Sequence, residues 1–246
     1  MPTRLDSVVV DADDPSALAA FWADALGWTV TFEAPDEVAV EAEGAPRWGE
    51  GGPPALVFGP VGDPKIGKNR VHLDLGSKDM EDHRGLVGRL LDRGARPADI
   101  GQGDVPWVVL ADPEDNEFCV LQPRNEYRDG PAVAAVVLDC ADPVGLAPFW
   151  SDATGWPVLA RREGLVGLRH PTAPATWLEL LSVVEPKRGK NRLHIDVAPY
   201  PADDHAAEVG RLERAGARRI DIGQGDVTWV VLSDPEGNEL CVLSPR

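Results

Sequence analysis

Basic residues are scarce in this 246-residue chain: 24 Lys and Arg stand against 41 Asp and Glu, a formal net charge of −17. Gripping nucleic-acid phosphates requires clustered Lys and Arg, and so does docking on anionic lipid, so the balance argues against both partners. A cationic ligand is tolerated in such a field, although an acidic surface serves solubility first. Cysteine is nearly absent. Cys119, Cys140 and Cys241 form no CxxC pair, which reads as reduced thiols of a cytosolic protein. No apolar run approaches the roughly 20 residues of a membrane span. The amino-terminal MPTRLDSVVV has no apolar stretch behind a basic start, so no signal peptide is read and a cytoplasmic location is expected. Nucleotide-binding signatures are missing too. GQGDV, at Gly101 and again at Gly223, is neither GxGxxG opening a helix nor GxxxxGK[ST], and reads as a bulge or turn. DPEDN and DPEGN lack the rest of an EF-hand and read as tight hairpin turns.

What the chain does contain is itself, twice. KNRVHLDL, Lys68 to Leu75, returns as KNRLHIDV, Lys190 to Val197. GQGDVPWVVLADPEDNEFCVL, Gly101 to Leu121, returns as GQGDVTWVVLSDPEGNELCVL, Gly223 to Leu243. The offset is 122 residues for both (194 − 72 and 223 − 101), whereas Trp22 matches Trp150 at an offset of 128. Six residues are therefore missing from the second copy, and the Gly/Pro-rich loop Glu43–Pro54 is their natural place. The polar QPRNEYRDGP, Gln122 to Pro131, joins the copies, giving expected domains of 1–123 and 131–246 with a linker at 124–130. Hydrophobic content of 43% fits two soluble globular units, each able to bury a core.

Within copy one, Val-rich Leu5–Asp11 reads as a strand. Asp14-Pro15 starts a helix with its apolar stripe on Leu18, Phe21, Trp22, Ala25 and Leu26, and Gly27 stops it. Strands are expected at Thr29–Glu33, Glu37–Glu41 and Ala55–Gly59. Alternation in Val71–Leu75 gives one apolar face and one carrying Arg70, His72 and Asp74. A helix from about Asp79 to Arg93, closed by Gly94, and strands near Arg96–Ile100, Trp107–Ala111 and Glu117–Gln122 complete the copy. Copy two repeats the series from Ala132 to Ser244.

A βαβββ unit occurring twice per copy, opened by DP…LAxFW and closed by DPExNExCVL, resembles the vicinal oxygen chelate superfamily of glyoxalase-like, bleomycin-resistance-like and extradiol-dioxygenase-like proteins. The resemblance implies an α+β fold of paired modules forming a U-shaped, mostly antiparallel sheet around a cleft. It also implies metal ligands, in relatives that use one, on the first, fourth, fifth and eighth strands of a domain. Those positions hold Ser7, Val57, His72 and Cys119 in copy one, and Ala135, Glu179, His194 and Cys241 in copy two. Copy one is thus short of ligands, and a divalent metal, if present, is expected on Glu179 and His194 of copy two. Superfamily members include lyases, isomerases, dioxygenases and metal-free sequestering proteins, so the fold alone does not choose.

The expected working groups follow. His72 and His194, each with an aspartate two residues on (Asp74, Asp196), are candidate acid–base residues, or alternatively structural histidines held by their neighbours. Arg70 and Arg192, on the same face, either bind a ligand or pair with those aspartates. Trp107, Trp229 and Trp177 are candidate aromatic walls for a flat, amphipathic ligand, with Ser7, Cys119 and Cys241 beside them. Trp48 is placed on a loop, and Cys119 and Cys241 read more readily as small apolar residues than as nucleophiles. The leading expectation is a glyoxalase-like protein that binds a small aromatic or amphipathic molecule without a metal cofactor, for sequestration or for His/Asp chemistry. The alternatives are a metal-dependent lyase, isomerase or dioxygenase, and a non-catalytic partner-binding module. The in-line duplication is expected to act as a pseudo-dimer within one chain, whether that chain is a monomer or a homodimer.

Overall fold

The computed structural model describes residues 3–171 and 174–246. Four βαβββ modules follow one another. The first is β1 (Arg4–Ala12), α1 (Pro15–Leu26), β2 (Thr29–Ala34), β3 (Glu37–Glu41) and β4 (Ala55–Pro60). The second is β5 (Val71–Leu75), α2 (Met80–Asp92), β6 (Arg96–Pro97), β7 (Trp107–Ala111) and β8 (Glu117–Leu121). The second repeat supplies β9 (Val133–Cys140), α3 (Pro143–Thr154), β10 (Val158–Arg162), β11 (Leu165–Leu168) and β12 (Trp177–Ser182). It ends with β13 (Leu193–Ala198), α4 (His205–Arg214), β14 (Arg218–Arg219), β15 (Val230–Ser233) and β16 (Glu239–Val242).

The helices begin and end for local reasons. The Asp14 carboxylate accepts from the Ala17 amide at 3.0 Å, Pro15 occupies the first turn, and Gly27 takes the left-handed conformation (φ 67°) that stops α1. Asp142, Pro143 and Gly155 repeat this around α3. Asp79 caps α2 by accepting from the Glu81 and Asp82 amides, both at 2.8 Å. The six-residue difference between repeats falls between β3 and β4, where copy one carries a short 3-10 turn, Trp48–Glu50. Trp48, on the loop where the sequence puts it, is fully buried and meets Trp156 edge-on, with ring centroids 6.1 Å apart.

The strands form two eight-stranded mixed sheets, ordered β14-β15-β16-β13-β1-β4-β3-β2 (sheet I) and β10-β11-β12-β9-β5-β8-β7-β6 (sheet II). Their central seams, β1 against β13 and β5 against β9, are antiparallel. Each sheet therefore joins one module from each repeat. A module leaves one edge of its leading strand open, and pairing these edges closes all four of them. Both repeats present the same edge, so side-chain alternation does not say which pairs with which.

Alternation does fix the faces. Val71, Leu73 and Leu75, and equally Leu193, Ile195 and Val197, enter one continuous apolar core with Leu86 and Leu90 of α2 and Val209 and Leu212 of α4. The hairpin turns brace that core. Buried Asp112 accepts from the Trp22 indole at 3.2 Å, while the Glu114 carboxylate takes the Asp13 and Asp14 amides at 2.7 and 2.8 Å. Asp234 does the same for Trp150, and Glu236 for the Ala141 and Asp142 amides. Among the described residues, no helix is long and apolar enough to cross a membrane.

Candidate active site on the helix-free faces

Because successive side chains of a strand alternate, the residues between those core positions look out from the sheets on the side without helices. On sheet I the register brings together Ser7 opposite Asp196, Val9 opposite His194, Val57 beside Val9, and Cys241 beside Asp196. On sheet II it brings together Val137 opposite His72, Ala135 opposite Asp74, Glu179 beside Val137, and Cys119 beside Asp74.

Each face thus carries a buried His–Asp–Cys triplet. The Nε2 atom lies 3.5 Å from the aspartate Oδ1 in both His72–Asp74 and His194–Asp196. One ligand-type atom from each of the three residues falls within 4.8 Å of the others. Burial, with a smaller contribution from the Lys68 charge, lowers the His72 pKa to about 3, and burial with Lys190 does the same to His194. Burial raises Asp74 to about 7, helped by the Glu179 charge, and Asp196 to about 8, helped by Asp6. Burial and the adjacent aspartate push both thiols up, which removes the Cys119 and Cys241 thiolates as nucleophiles. At neutral pH the result is an uncharged imidazole beside a carboxyl that titrates near neutrality. In both triplets the His Nδ1 and the Asp Oδ1 are buried without a hydrogen-bond partner. A polar atom left so is costly unless something outside the chain satisfies it.

The two faces are not equivalent. On sheet II the linker folds in: Tyr127 is buried among Val109, Cys119, Leu121, Val137 and Trp177, and its hydroxyl donates to Glu179 Oε1 at 2.7 Å. Arg124 lies over the Trp107 ring at 5.6 Å, and Arg169 over Trp177 at 4.4 Å. On sheet I the position of Glu179 is Val57, and aromatic surface is still open, with Trp229 37% and Phe32 51% exposed. Ile220 and Ile222 pack there against Val231, Cys241 and Leu243.

Some expected residues lie elsewhere. Glu179 stands in sheet II with His72, not with His194, because the sheets join opposite repeats. Arg70 and Arg192 turn away from the His–Asp pairs. Arg70 donates to Asn238 Oδ1 (3.0 Å), the Glu185 carbonyl (3.2 Å) and the Asp139 carbonyl (2.6 Å). Arg192 donates to Asp13, Glu114 and the Asp63 carbonyl. Both guanidiniums staple one repeat to the other, since each sits just ahead of a seam strand. Tyr127, missed from the sequence, is the lone aromatic of an otherwise polar linker. That contrast was the available signal.

Paired βαβββ modules with a His on the fifth strand of each repeat define a glyoxalase-like fold. The glyoxalase-like domain profile matches residues 7–121 and again 135–243, and the chain belongs to that family, within the vicinal oxygen chelate superfamily that its repeats resemble. Among solved structures, glyoxalase I from Zea mays superposes with a TM-score of 0.68 at 14% identity, covering 98% of this chain and 92% of that one. A candidate dioxygenase from Bacillus subtilis gives 0.63 at 13%, covering 99% and 86%. At these identities the likeness is one of fold. No curated protein sequence matches the chain.

Proposed function

We propose that the protein binds a small, largely apolar molecule, aromatic or amphipathic, on the helix-free face of sheet I, where the Asp196 carboxyl exchanges a proton with it and uncharged His194 holds its polar group. The supporting observation is the combination on one face of exposed Trp229 and Phe32 with a buried His–Asp pair whose Nδ1 and Oδ1 atoms make no hydrogen bond within the chain. The ligand's apolar body would rest on the aromatic and aliphatic rim, and its polar group would satisfy the buried atoms at the floor. The Asp196 carboxyl, raised to about 8, gives or takes the proton in the neutral range, while His194, uncharged there, hydrogen-bonds the ligand's polar group. Sheet II carries the same pair, but Tyr127 and Trp177 already occupy its face, so sheet I is the working side.

A screen of aromatic and amphipathic compounds by quenching of tryptophan fluorescence tests this. A binder should lose most of its quench in Trp229→Ala and keep it in Trp107→Ala, and His194→Ala should abolish any turnover while the protein stays folded. The reverse dependence on the two tryptophans would sink the assignment to sheet I.

A second reading has its own observation. His194, Asp196 and Cys241 offer one nitrogen, one oxygen and one sulfur within 4.8 Å, a donor set suited to zinc and its neighbours, and the unpartnered atoms belong to two of those side chains. His72, Asp74 and Cys119 match it on sheet II. These residues fit a divalent ion better than the pair Glu179 and His194. Such an ion, when bound, supplies Lewis acidity toward a ligand oxygen, the chemistry of a lyase, isomerase or dioxygenase. Elemental analysis of protein purified without added metal decides: stoichiometric zinc, iron, nickel or manganese, lost in Cys241→Ser and Cys119→Ser, would favour this reading over the first.

A further inference from the structure

The helix-bearing side of the first repeat holds a cavity of about 310 Å³ where the end of β5, α1, α2 and the linker meet. Its apolar wall includes Leu26, Leu75 and Leu86, and its charged residues are Lys78, Arg89, Arg128 and Asp82. Three cations against one carboxylate leave an excess of positive charge in a chain of net −17. Asp82 is already engaged, accepting from the Lys78 backbone amide at 2.9 Å. Among the described residues, Lys78, Arg89 and Arg128 make no ion pair. Ser77 lines the same cavity at 6% exposure, and its hydroxyl is buried without a hydrogen-bond partner.

The second repeat shows what this corner looks like when it is closed internally. Arg211, the counterpart of Arg89, is held by Glu208 at 2.8 Å and by Asp152 at 2.9 Å. Glu208 corresponds to Leu86, so the first repeat has exchanged the internal anion for an apolar wall. The Asp152 counterpart, Asp24, pairs with Arg93 instead, at 3.1 Å. Ser77 and Lys78 replace Pro199 and Tyr200, which adds a hydroxyl and an ammonium group. The amides at the start of α2 are taken by Asp79, so recognition falls to the side chains.

We infer that this cavity binds a small organic dianion, a phosphomonoester or a dicarboxylate, carried on a short apolar body. The anion answers Lys78, Arg89, Arg128 and the Ser77 hydroxyl, and the apolar part lies on Leu26 and Leu86. The site is separate from the helix-free faces and does not depend on the function proposed for them.

Calorimetric titration of the full-length chain with phenyl phosphate, with phthalate and with neutral phenol tests it. Saturable binding of one or both dianions is expected, weakening with added salt. Each of Arg89→Gln and Arg128→Gln should raise the Kd about tenfold or more, as loss of a charged hydrogen bond does. Both arginines are exposed, so these variants keep the fold, and His194→Ala leaves the titration unchanged. Binding of phenyl phosphate alone marks a phosphomonoester site, and of phthalate alone a dicarboxylate site. Equal binding of phenol, no saturable binding of either dianion at millimolar concentration, or binding that survives intact in the Arg89→Gln/Arg128→Gln double variant would overturn the assignment.

Discussion

At the scale of single residues, the His–Asp pairs tie proton uptake to folding. Folding raises Asp196 from an ordinary carboxyl value of 3.8 to about 8 and Asp74 to about 7. Between those limits the native state holds protons that the unfolded chain has released, so native stability falls as pH rises through the window. The imidazoles act in the opposite sense. Their pKa drops from 6.5 to about 3 on folding, so they withdraw stability as pH falls below 6.5. From about 4 to 6.5 the two effects oppose each other; above 6.5 only the aspartates remain. Thermal melts should therefore show a decline in Tm from about pH 6.5 to about pH 8, and the Asp74→Asn/Asp196→Asn double variant should be flat there. A bound divalent ion would keep the carboxylates ionised and erase the decline in wild type when metal is added, so the same melts separate the two functional readings. The pairs themselves were legible in the sequence because a strand's period of two puts i and i+2 on one face. Which glutamate joins which histidine was not, because that depends on a seam between strands far apart in the chain.

At the scale of elements, the repeated DPExN turn is more than a reversal of direction. Asp112 is fully buried and accepts from the Trp22 indole, from the Glu114 and Asn116 amides (both 2.9 Å) and from the Asn116 side chain. Asp112→Ala would strip several buried donors of their acceptor at once, at a cost of about 3 kcal/mol. A urea midpoint lowered accordingly would confirm this, whereas a loss within about 0.5 kcal/mol would show the turn to be self-supporting. Tyr127 tests the linker in the same way. Tyr127→Phe keeps the ring in its apolar bed but removes the hydroxyl that donates to Glu179, so a loss of about 1–2 kcal/mol is expected, with the Glu179 pKa, already raised by burial, rising further. Helix and strand limits agreed with the sequence reading almost throughout, since caps such as Asp14-Pro15 and stops such as Gly27 are local signals. The strand expected at Arg96–Ile100 shrank to Arg96–Pro97, because the following residues turn in: Ile100 packs on the Cys119–Val137 cluster. Arg70 and Arg192 sit beside the histidines in sequence, but their partners come from the other repeat, beyond the reach of any local pattern.

At the scale of the molecule, the duplication is woven rather than strung. Sheet I needs β1–β4 from the first repeat and β13–β16 from the second, and sheet II needs the converse. Further ties cross between the repeats: Lys190 to Asp11, Lys68 to Asp139, Arg192 to Glu114 at 3.1 Å, and Trp48 edge-on to Trp156. A repeat expressed alone would leave the seam edges of β1 and β5, or of β9 and β13, without partners, and would bare apolar surface that the full chain hides. Residues 1–123 and 131–246 produced separately should therefore not behave as folded monomers; each should self-associate or aggregate. Mixed during refolding, they should recover the native far-ultraviolet spectrum as a one-to-one complex, with the mass read by light scattering. A half that melts cooperatively as a monomer would mean that its two modules can pair with each other. In that event the seam would form within a repeat, and Glu179 would stand with His194 after all.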